Sequence, residues 1–184
     1  AELDLTRQLN PDKAILSVTE LVDQMSFTIY EGEKVAITAP DEIPVADMLA
    51  GFRPTSGEID FYYEDVTLQS LDNRCRKIGY IMANPDDMIF VERVRDADIS
   101  NELLTLCQLT AVKDIRLSQL SYRQKRLFTT ACILMQATPI VIIDQPEFEG
   151  FPEILAYLDR QGVTLILVTD EDKLLPFMDR QEVF

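Results

Sequence analysis

The sequence has 184 residues, which fits one compact domain better than two. Hydrophobic residues make up 47% of the chain and charged residues 27%, a balance that is typical of folded globular proteins and excludes a disordered chain. The formal net charge of −15 argues against nucleic acid and anionic lipid surfaces as partners, because both carry negative charge, and it favours a protein partner with a basic face. The absence of His excludes a histidine base and histidine metal ligands.

Targeting signals are not apparent in the sequence. Residues 1–4 have neither a basic region nor an apolar run, so we expect no signal peptide. The longest apolar stretch, 127–143, is interrupted by Gln136 and Pro139 and is not expected to span a bilayer. Three widely spaced cysteines indicate free thiols in a reducing compartment, so we expect a cytoplasmic protein. The chain begins without Met, which leaves open a processed protein or a fragment of a longer one.

Apolar runs and turn signals predict the elements of the first half of the chain. Strands are predicted at 14–18, 25–30, 34–38, 58–63 and 77–82. A short helix is predicted at 43–50, and Gly51 is its expected C-cap.

The second half alternates helical patterns with fully apolar runs. Leucines at helical spacing predict a helical segment at 94–109, and Ser121 is a candidate N-cap for a helix at 121–136. The run 140–143 is apolar and mostly β-branched, as expected of a strand buried on both faces. The remaining predicted elements are a helix at 152–160 and a strand at 163–168. Strands separated by helices predict an α/β fold with parallel neighbours.

Six stretches, taken in chain order, resemble the landmarks of one protein family. They are MSFTIYEGEKVAI, LAGFRPTSGEIDFYYEDV, IGYIMANPDDMIF, LSQLSYRQKRL, PIVIIDQPEFEG and GVTLILVTDED. Their order over about residues 14–172 resembles an ABC transporter nucleotide-binding domain, and the third is most similar to the glutamine loop of ATPases from energy-coupling-factor and cobalt importers. The resemblance implies a P-loop NTPase-like α/β core with a mostly parallel sheet, a small antiparallel N-terminal edge sheet and a shortened helical subdomain at about 91–126, all within one domain, 1–184.

The phosphate loop of this family, G-x-x-x-x-G-K-[ST], corresponds to residues 39–47, which contain no Gly, Lys, Ser or Thr. Pro40 has no N–H to donate, and Asp41, Glu42 and Asp47 add negative charge. One like-charge contact at about 4 Å costs about 4 kcal/mol at an effective dielectric constant of about 20. We therefore expect this loop not to bind nucleotide, and we expect Asp41 or Glu42 to cap the following helix in place of a phosphate.

The resemblance also assigns the catalytic positions. Asp144 stands where the family holds Mg²⁺ through water, and the alternative is a polar residue that merely ends a buried strand. Gln145 replaces the Glu that acts as general base, and an amide cannot accept a proton at neutral pH. Asp170 replaces the switch His, and Ala83 replaces the Gln of the glutamine loop.

The signature motif of the family offers a Ser and two glycines to a nucleotide bound across a dimer. Ser121 and Gln124 match this motif, whereas Tyr122 and Arg123 replace the glycines. Tyr122 would block a close approach of the backbone. Arg123 either pairs with phosphate or is a solvated surface residue, and Ser121 has a simple N-cap role as its alternative.

Two groups of residues are candidate contact surfaces. The apolar group consists of Met88, Ile89 and Phe90. The basic and aromatic group consists of Tyr122, Arg123, Lys125 and Arg126. Core packing is the alternative for the first group, and a solvated helix face is the alternative for the second.

The sequence therefore predicts a catalytically inactive ABC ATPase-like protein that is not an enzyme, uses no cofactor and acts as an interaction or regulatory subunit. Its expected partner is a protein: a second copy of this chain, an intact ABC ATPase subunit, or a membrane subunit that would bring it to a membrane. Nucleic acid and direct membrane insertion are not expected. The alternative is an ATP-binding subunit that still binds ATP and Mg²⁺ and works beside an intact ATPase, and a third hypothesis is a purely structural half of a larger chain.

Overall fold

The structure, a computed structural model, describes residues 9–147 and 149–184, so the expected absence of a signal peptide at 1–4 lies outside the described residues. The strands are β1 (Ala14–Thr19), β2 (Phe27–Tyr30), β3 (Lys34–Thr38), β4 (Glu58–Phe61), β5 (Glu64–Asp65), β6 (Ile78–Ile81), β7 (Ile140–Asp144), β8 (Thr164–Val168) and β9 (Arg180–Val183). The α-helices are α1 (Val45–Ala50), α2 (Leu71–Cys75), α3 (Asn101–Leu106), α4 (Tyr122–Met135) and α5 (Phe151–Gln161). Short 3-10 helices lie at Pro85–Met88, Val94–Ala97, Thr110–Val112, Leu117–Gln119 and Leu175–Phe177.

Two sheets form the α/β fold. The larger sheet has the strand order β6-β7-β8-β3-β9, and every neighbouring pair in it is parallel. The smaller sheet has the order β2-β1-β4-β5 and is antiparallel throughout. This arrangement confirms the predicted fold class, a mostly parallel sheet accompanied by a small antiparallel sheet from the N-terminal part of the chain.

The central strands β7 and β8 lie between two hydrophobic cores. Ile142 and Ile166 pack in the core that α1 and the two sheets share. Val141 and Leu165 pack in the core beneath α3, α4 and α5. Because successive side chains of a strand point to opposite faces, a strand that is covered on both sides needs an apolar residue at each position.

Helix limits differ from the sequence prediction. α1 begins at Val45, two residues later than predicted, and ends as predicted at Gly51, whose φ of 91° is left-handed. The segment 94–109, predicted to be helical throughout, is divided into a 3-10 turn and α3. The division follows from Asp98, which has a φ of 55° and cannot continue a right-handed helix.

Two predicted strands are also shorter at one end by two residues in the structure. The strand predicted at 58–63 ends at Phe61, because Tyr62 and Tyr63 have φ values of 46° and 67° and form the turn between β4 and β5. The strand predicted at 25–30 begins later, because the N–H of Met25 donates to the carbonyl of Val22 in a turn.

The region 91–126 contains α3, three 3-10 helices and the first residues of α4. Its separation as a helical subdomain of a single domain stays a prediction. In the part of the chain that the structure describes, no helix combines the length and the apolar character needed to cross a bilayer.

Candidate functional site

The loop between β3 and α1, which corresponds to the phosphate loop, closes on itself through main-chain hydrogen bonds. The N–H of Ile43 donates to the carbonyl of Pro40 at 2.9 Å, and the N–H of Val45 donates to the carbonyl of Ile43 at 2.9 Å. Pro40 and Pro44 have no N–H. Two of the main-chain donors that could surround a phosphate are therefore used internally, and two others are missing.

The predicted capping of α1 by an acidic side chain is wrong. Pro44 is the residue at the N-cap, and no side chain accepts a hydrogen bond there. Asp41 and Glu42 are exposed in the turn before it. The helix begins at Val45, two residues later than predicted, so both residues lie before its N-cap.

A cavity of 230 Å³ beside this loop has an acidic lining. Asp41, Asp47 and Asp144 contribute carboxyl groups to it, and none of the described residues around it is Lys or Arg. A phosphate placed there would meet repulsion from these carboxylates, and no cationic side chain of the described lining would offset it. The residues present at this loop therefore do not fit a phosphate group.

Tyr80 on β6 connects α1 to the end of β7. Its phenol O–H donates to Oδ1 of Asp47 at 2.5 Å. Desolvation raises the pKa of Asp144, and the charge of Asp47 raises it further, whereas the charge of Arg126 opposes the rise. Burial and the contact with Asp47 also raise the pKa of Tyr80. Among the described residues, no group of three or more acidic or cysteine side chains is arranged to hold a metal ion.

The helix α4 begins with a complete capping box. Oγ of Ser121 accepts the N–H of Gln124 at 3.1 Å, and Oε1 of Gln124 accepts the N–H of Ser121 at 2.9 Å. This confirms Ser121 as the N-cap. Because Oγ is the acceptor in this bond, the hydroxyl of Ser121 can still donate to a ligand.

Arg123 lies in the first turn of α4 with unused hydrogen-bonding capacity. One of its terminal nitrogens is 3.2 Å from a carboxylate oxygen of Glu149. Its Nε is buried and has no hydrogen-bond partner among the described residues. Because Nε is buried, only the terminal nitrogens of the guanidinium can reach an anion from solvent, and one of them contacts Glu149.

The other members of the basic and aromatic group form hydrogen bonds and an ion pair with residues of this chain. Arg126 is only 6% exposed, so its assignment to a surface patch is wrong. Its guanidinium donates to the carbonyl of Ala83 at 2.9 Å and, through two nitrogens, to the carbonyl of Asp144 at 3.2 Å. Tyr122, which is 56% exposed, donates to the same carbonyl of Ala83 at 2.8 Å. Lys125 forms an ion pair with an aspartate of this chain, so the expected basic patch is largely neutralised.

The apolar group does not form one surface. Phe90 is 89% exposed, whereas Met88 and Ile89 are partly buried against the core beneath α4. Met88 and Phe90 line an apolar cavity of 390 Å³ between β6 and α4. The role of these three residues as an interface stays a prediction.

The remaining positions assigned from the sequence lie at the carboxyl ends of neighbouring strands. Gln145 follows β7, has a φ of 54° and donates its N–H to the carbonyl of Val168 at 3.0 Å. Asp170 follows β8, and both side chains are exposed. Tyr80 was not predicted, and no sequence pattern marks it, because its partner Asp47 is 33 residues away.

Comparisons with known proteins relate the chain to one group of ATPases, although no protein-family model matches it. It is 30% identical over 186 residues to a putative ABC transporter ATP-binding protein of Streptococcus agalactiae, covering 86% of this chain and 33% of that protein. It is 28% identical to a putative ABC transporter ATP-binding protein of Enterococcus faecalis, covering 85% of this chain and 32% of that protein. The chain thus spans about one third of the length of the curated relatives it matches.

Solved structures show the same fold. CbiO1 from Clostridium perfringens, part of the ABC transporter complex CbiONQ, has a TM-score of 0.76 at 21% identity, with 94% of this chain and 85% of that chain covered. A dimeric ATP-binding cassette in a post-hydrolysis state with ADP and Pi has a TM-score of 0.78 at 17% identity, with 92% and 94% covered. The chain has the fold of an ABC transporter ATP-binding domain.

Two predictions about this chain are wrong. It was predicted not to be an enzyme, but its sequence relatives are named ATP-binding proteins and its structural relatives are ATP-binding cassettes, which points to an ATPase. It was predicted to use no cofactor, but one structural relative was solved with ADP and Pi. The error has a physical origin. The sequence argument took the replaced residues of the phosphate loop and of the signature motif together as a loss of nucleotide use, although a partner domain can supply the missing groups of a shared site.

Proposed function

We propose that this chain is an ATP-binding domain of an ABC transporter that binds ATP jointly with an intact ATPase domain and contributes to its hydrolysis. The intact domain supplies the phosphate-binding loop and the catalytic Glu, and this chain supplies the N-terminal end of α4. The intact domain lies in the same polypeptide or in a second subunit. The observation that carries the proposal is the contrast between the acidic loop before α1 and the well-formed, donor-rich start of α4.

The start of α4 supports phosphate binding in three ways. The helix has 14 residues, so its N-terminal N–H groups and dipole favour an anion. Ser121 is exposed, and its hydroxyl is available as a donor because Oγ serves as the acceptor of the cap. Arg123 adds a positive charge on a side chain that is 34% exposed. Together they provide a main-chain, a hydroxyl and a guanidinium donor on one helix turn.

The loop before α1 supports the proposal that two domains share one nucleotide site. Its carboxylates and prolines do not fit a phosphate, so the nucleotide shared with the partner rests on the partner's loop. The chain's sequence relatives are named ATP-binding proteins, which supports nucleotide use by the assembly in which this domain works.

Two surfaces are proposed for the partners. The start of α4, with Ser121, Tyr122 and Arg123, faces the intact ATPase domain across the nucleotide. Phe90 and the apolar cavity beside Met88 face a membrane subunit at the cytoplasmic side, where an exposed aromatic ring at the rim of an apolar cavity favours contact with another protein.

Association that depends on ATP tests the proposal. Sedimentation would measure the affinity of this domain for the intact ATPase domain of its transporter, with and without Mg-ATP. We expect ATP to promote association, and we expect Arg123→Ala to weaken it about tenfold or more, since a charge-assisted hydrogen bond is worth about 1.5–3 kcal/mol.

The matched control is Arg160→Ala, which removes an exposed Arg that also pairs with a glutamate of this chain but lies at the end of α5. The control should associate like the wild type. If ATP has no effect on association, or if the two variants behave alike, the proposed function is wrong.

A further inference from the structure

Two departures from the family pattern contact each other in this chain. Tyr122 replaces the first glycine of the signature motif, and Ala83 replaces the glutamine of the glutamine loop. The phenol O–H of Tyr122 donates to the main-chain carbonyl of Ala83 at 2.8 Å. A glycine at position 122 would have no side-chain donor for this bond.

Arg126 reaches the same carbonyl from the next turn of α4. Its guanidinium donates to Ala83 at 2.9 Å and to the carbonyl of Asp144, at the end of β7, at 3.2 Å. A carbonyl oxygen has two lone pairs, so Ala83 can accept both Tyr122 and Arg126. Because Arg126 is buried, its charge depends on these carbonyls for compensation, and the guanidinium is confined to this position.

The rest of the glutamine-loop segment is fastened to the same helix. Lys125 of α4 forms an ion pair with Asp86, three residues after Ala83, at 3.0 Å. The N–H of Met82 lies 3.2 Å from the sulfur of Met88, which folds the segment back on itself. Segment 83–86 is thus attached to α4 at both of its ends, and Met88 folds back onto Met82.

We propose that Tyr122 and Arg126 are positioning residues that clamp the carbonyl of Ala83, so that segment 83–90 and the first turn of α4 move as one body. The clamp holds Ser121 and Arg123 at a fixed place relative to the end of β7. Its positioning role rests on the proposed function, whereas the clamp itself requires neither nucleotide nor partner.

Hydrogen exchange of the full chain in the absence of nucleotide tests the clamp. In Tyr122→Phe, the amides of 86–90 should exchange about fivefold faster than in the wild type, the factor expected for the loss of one net hydrogen bond from a local opening equilibrium. The control is Tyr63→Phe, because Tyr63 is 73% exposed and makes no side-chain hydrogen bond within the described residues. The control should leave the exchange of 86–90 unchanged.

Unchanged exchange at 86–90 in Tyr122→Phe, or an equal change in both variants, would overturn the clamp. Arg126→Lys should accelerate the same amides, and if that variant does not fold, Tyr122→Phe alone decides.

ATP-dependent association with the intact ATPase domain tests the positioning role. Tyr122→Phe and Arg126→Lys should each weaken that association several-fold, and the second change is buried and lies outside the proposed contact surface. Faster exchange without weaker association would overturn the positioning role. A wild-type chain that does not associate in ATP would refute the proposed function, while the exchange result would still decide whether the clamp exists.

Discussion

Asp144 is the last residue of the central strand β7, where an ionised carboxylate destabilises the folded state. Desolvation raises its pKa, and the neighbouring charge of Asp47 raises it further. Because the pKa in the folded state lies above the value in the unfolded state, the folded state binds the proton more tightly. The ionised carboxylate therefore destabilises the fold above the raised pKa, and this cost is relieved as the pH falls through it.

Asp144→Asn should consequently increase the free energy of unfolding at pH 7, because the amide keeps the shape and removes the charge. The gain should shrink as the pH falls below the raised pKa and should vanish once wild-type Asp144 is protonated in both states. Urea unfolding at pH 7 and pH 3 measures this. A gain that is independent of pH, or a loss at pH 7, would contradict the account of Asp144.

Arg126 connects α4 to Ala83 and to the end of β7, so its replacement should destabilise the fold. Arg126→Leu removes the hydrogen bonds that the buried guanidinium donates to the carbonyls of Ala83 and Asp144, which should lower the free energy of unfolding by about 3 kcal/mol. The matched control is Lys125→Met, which breaks an ion pair with the exposed Asp86 and should cost less than about 1 kcal/mol. Chemical denaturation compares the two. Equal costs would show that the guanidinium contributes no more than its surface neighbour.

The packing of α4 on the edge strand β6 depends on a glycine. A Cβ added at Gly79 would lie 2.7 Å from Oγ1 of Thr138 and 2.9 Å from Cγ2 of Ile133, near the C-terminal end of α4. Gly79→Ala should therefore force the helix away from the strand and cost about 1–3 kcal/mol. Thermal unfolding measures the loss. A variant as stable as the wild type would mean that α4 does not approach β6 as closely as described.

The first turn of α4 offers a separate test of its cap. Ser121→Ala removes the acceptor of the Gln124 N–H and should lower the free energy of unfolding by about 1 kcal/mol. Ser121→Asp should retain the stability, because a carboxylate is an equally good cap and favours the helix dipole. Denaturant titration distinguishes them. Equal stability of both variants would contradict the capping role.

The elements that the sequence predicted well are those that a single physical requirement determines. β7 and β8 were predictable because a strand covered on both faces must be apolar at every position. The start of α4 was predictable because Ser121 and Gln124 form a local capping box. The middle of the chain was not, because the break at Asp98 depends on a single left-handed residue that no periodicity reveals.

The residues of the candidate site could likewise be predicted only where they are neighbours in the sequence. Spacing along the chain identified the acidic loop before α1, because all its members are neighbours in sequence. It did not identify the contact between Tyr80 and Asp47, which only the packing of α1 on β6 brings together. Arg126 was assigned to a surface patch because Arg123 and Lys125 flank it, although burial by the fold separates them.

The domain as a whole is asymmetric: it repels phosphate at the loop before α1 and offers donors at the start of α4. Under the proposed function, this asymmetry lets a chain with such a loop still contribute to one ATP site. In the proposed assembly, the two ends of this domain serve two different composite sites, and only the one at α4 receives donors from this chain.

The most direct test of this account is ATP turnover by the complete assembly with Ser121→Asp in this chain. The substitution keeps the cap, so the domain should remain as stable as the wild type. It also places a negative charge beside the shared phosphate, where a contact at about 4 Å costs about 4 kcal/mol at an effective dielectric constant of about 20. The account predicts that turnover falls by at least about a hundredfold while the melting temperature is retained. Unchanged turnover in a folded, assembled variant would contradict it.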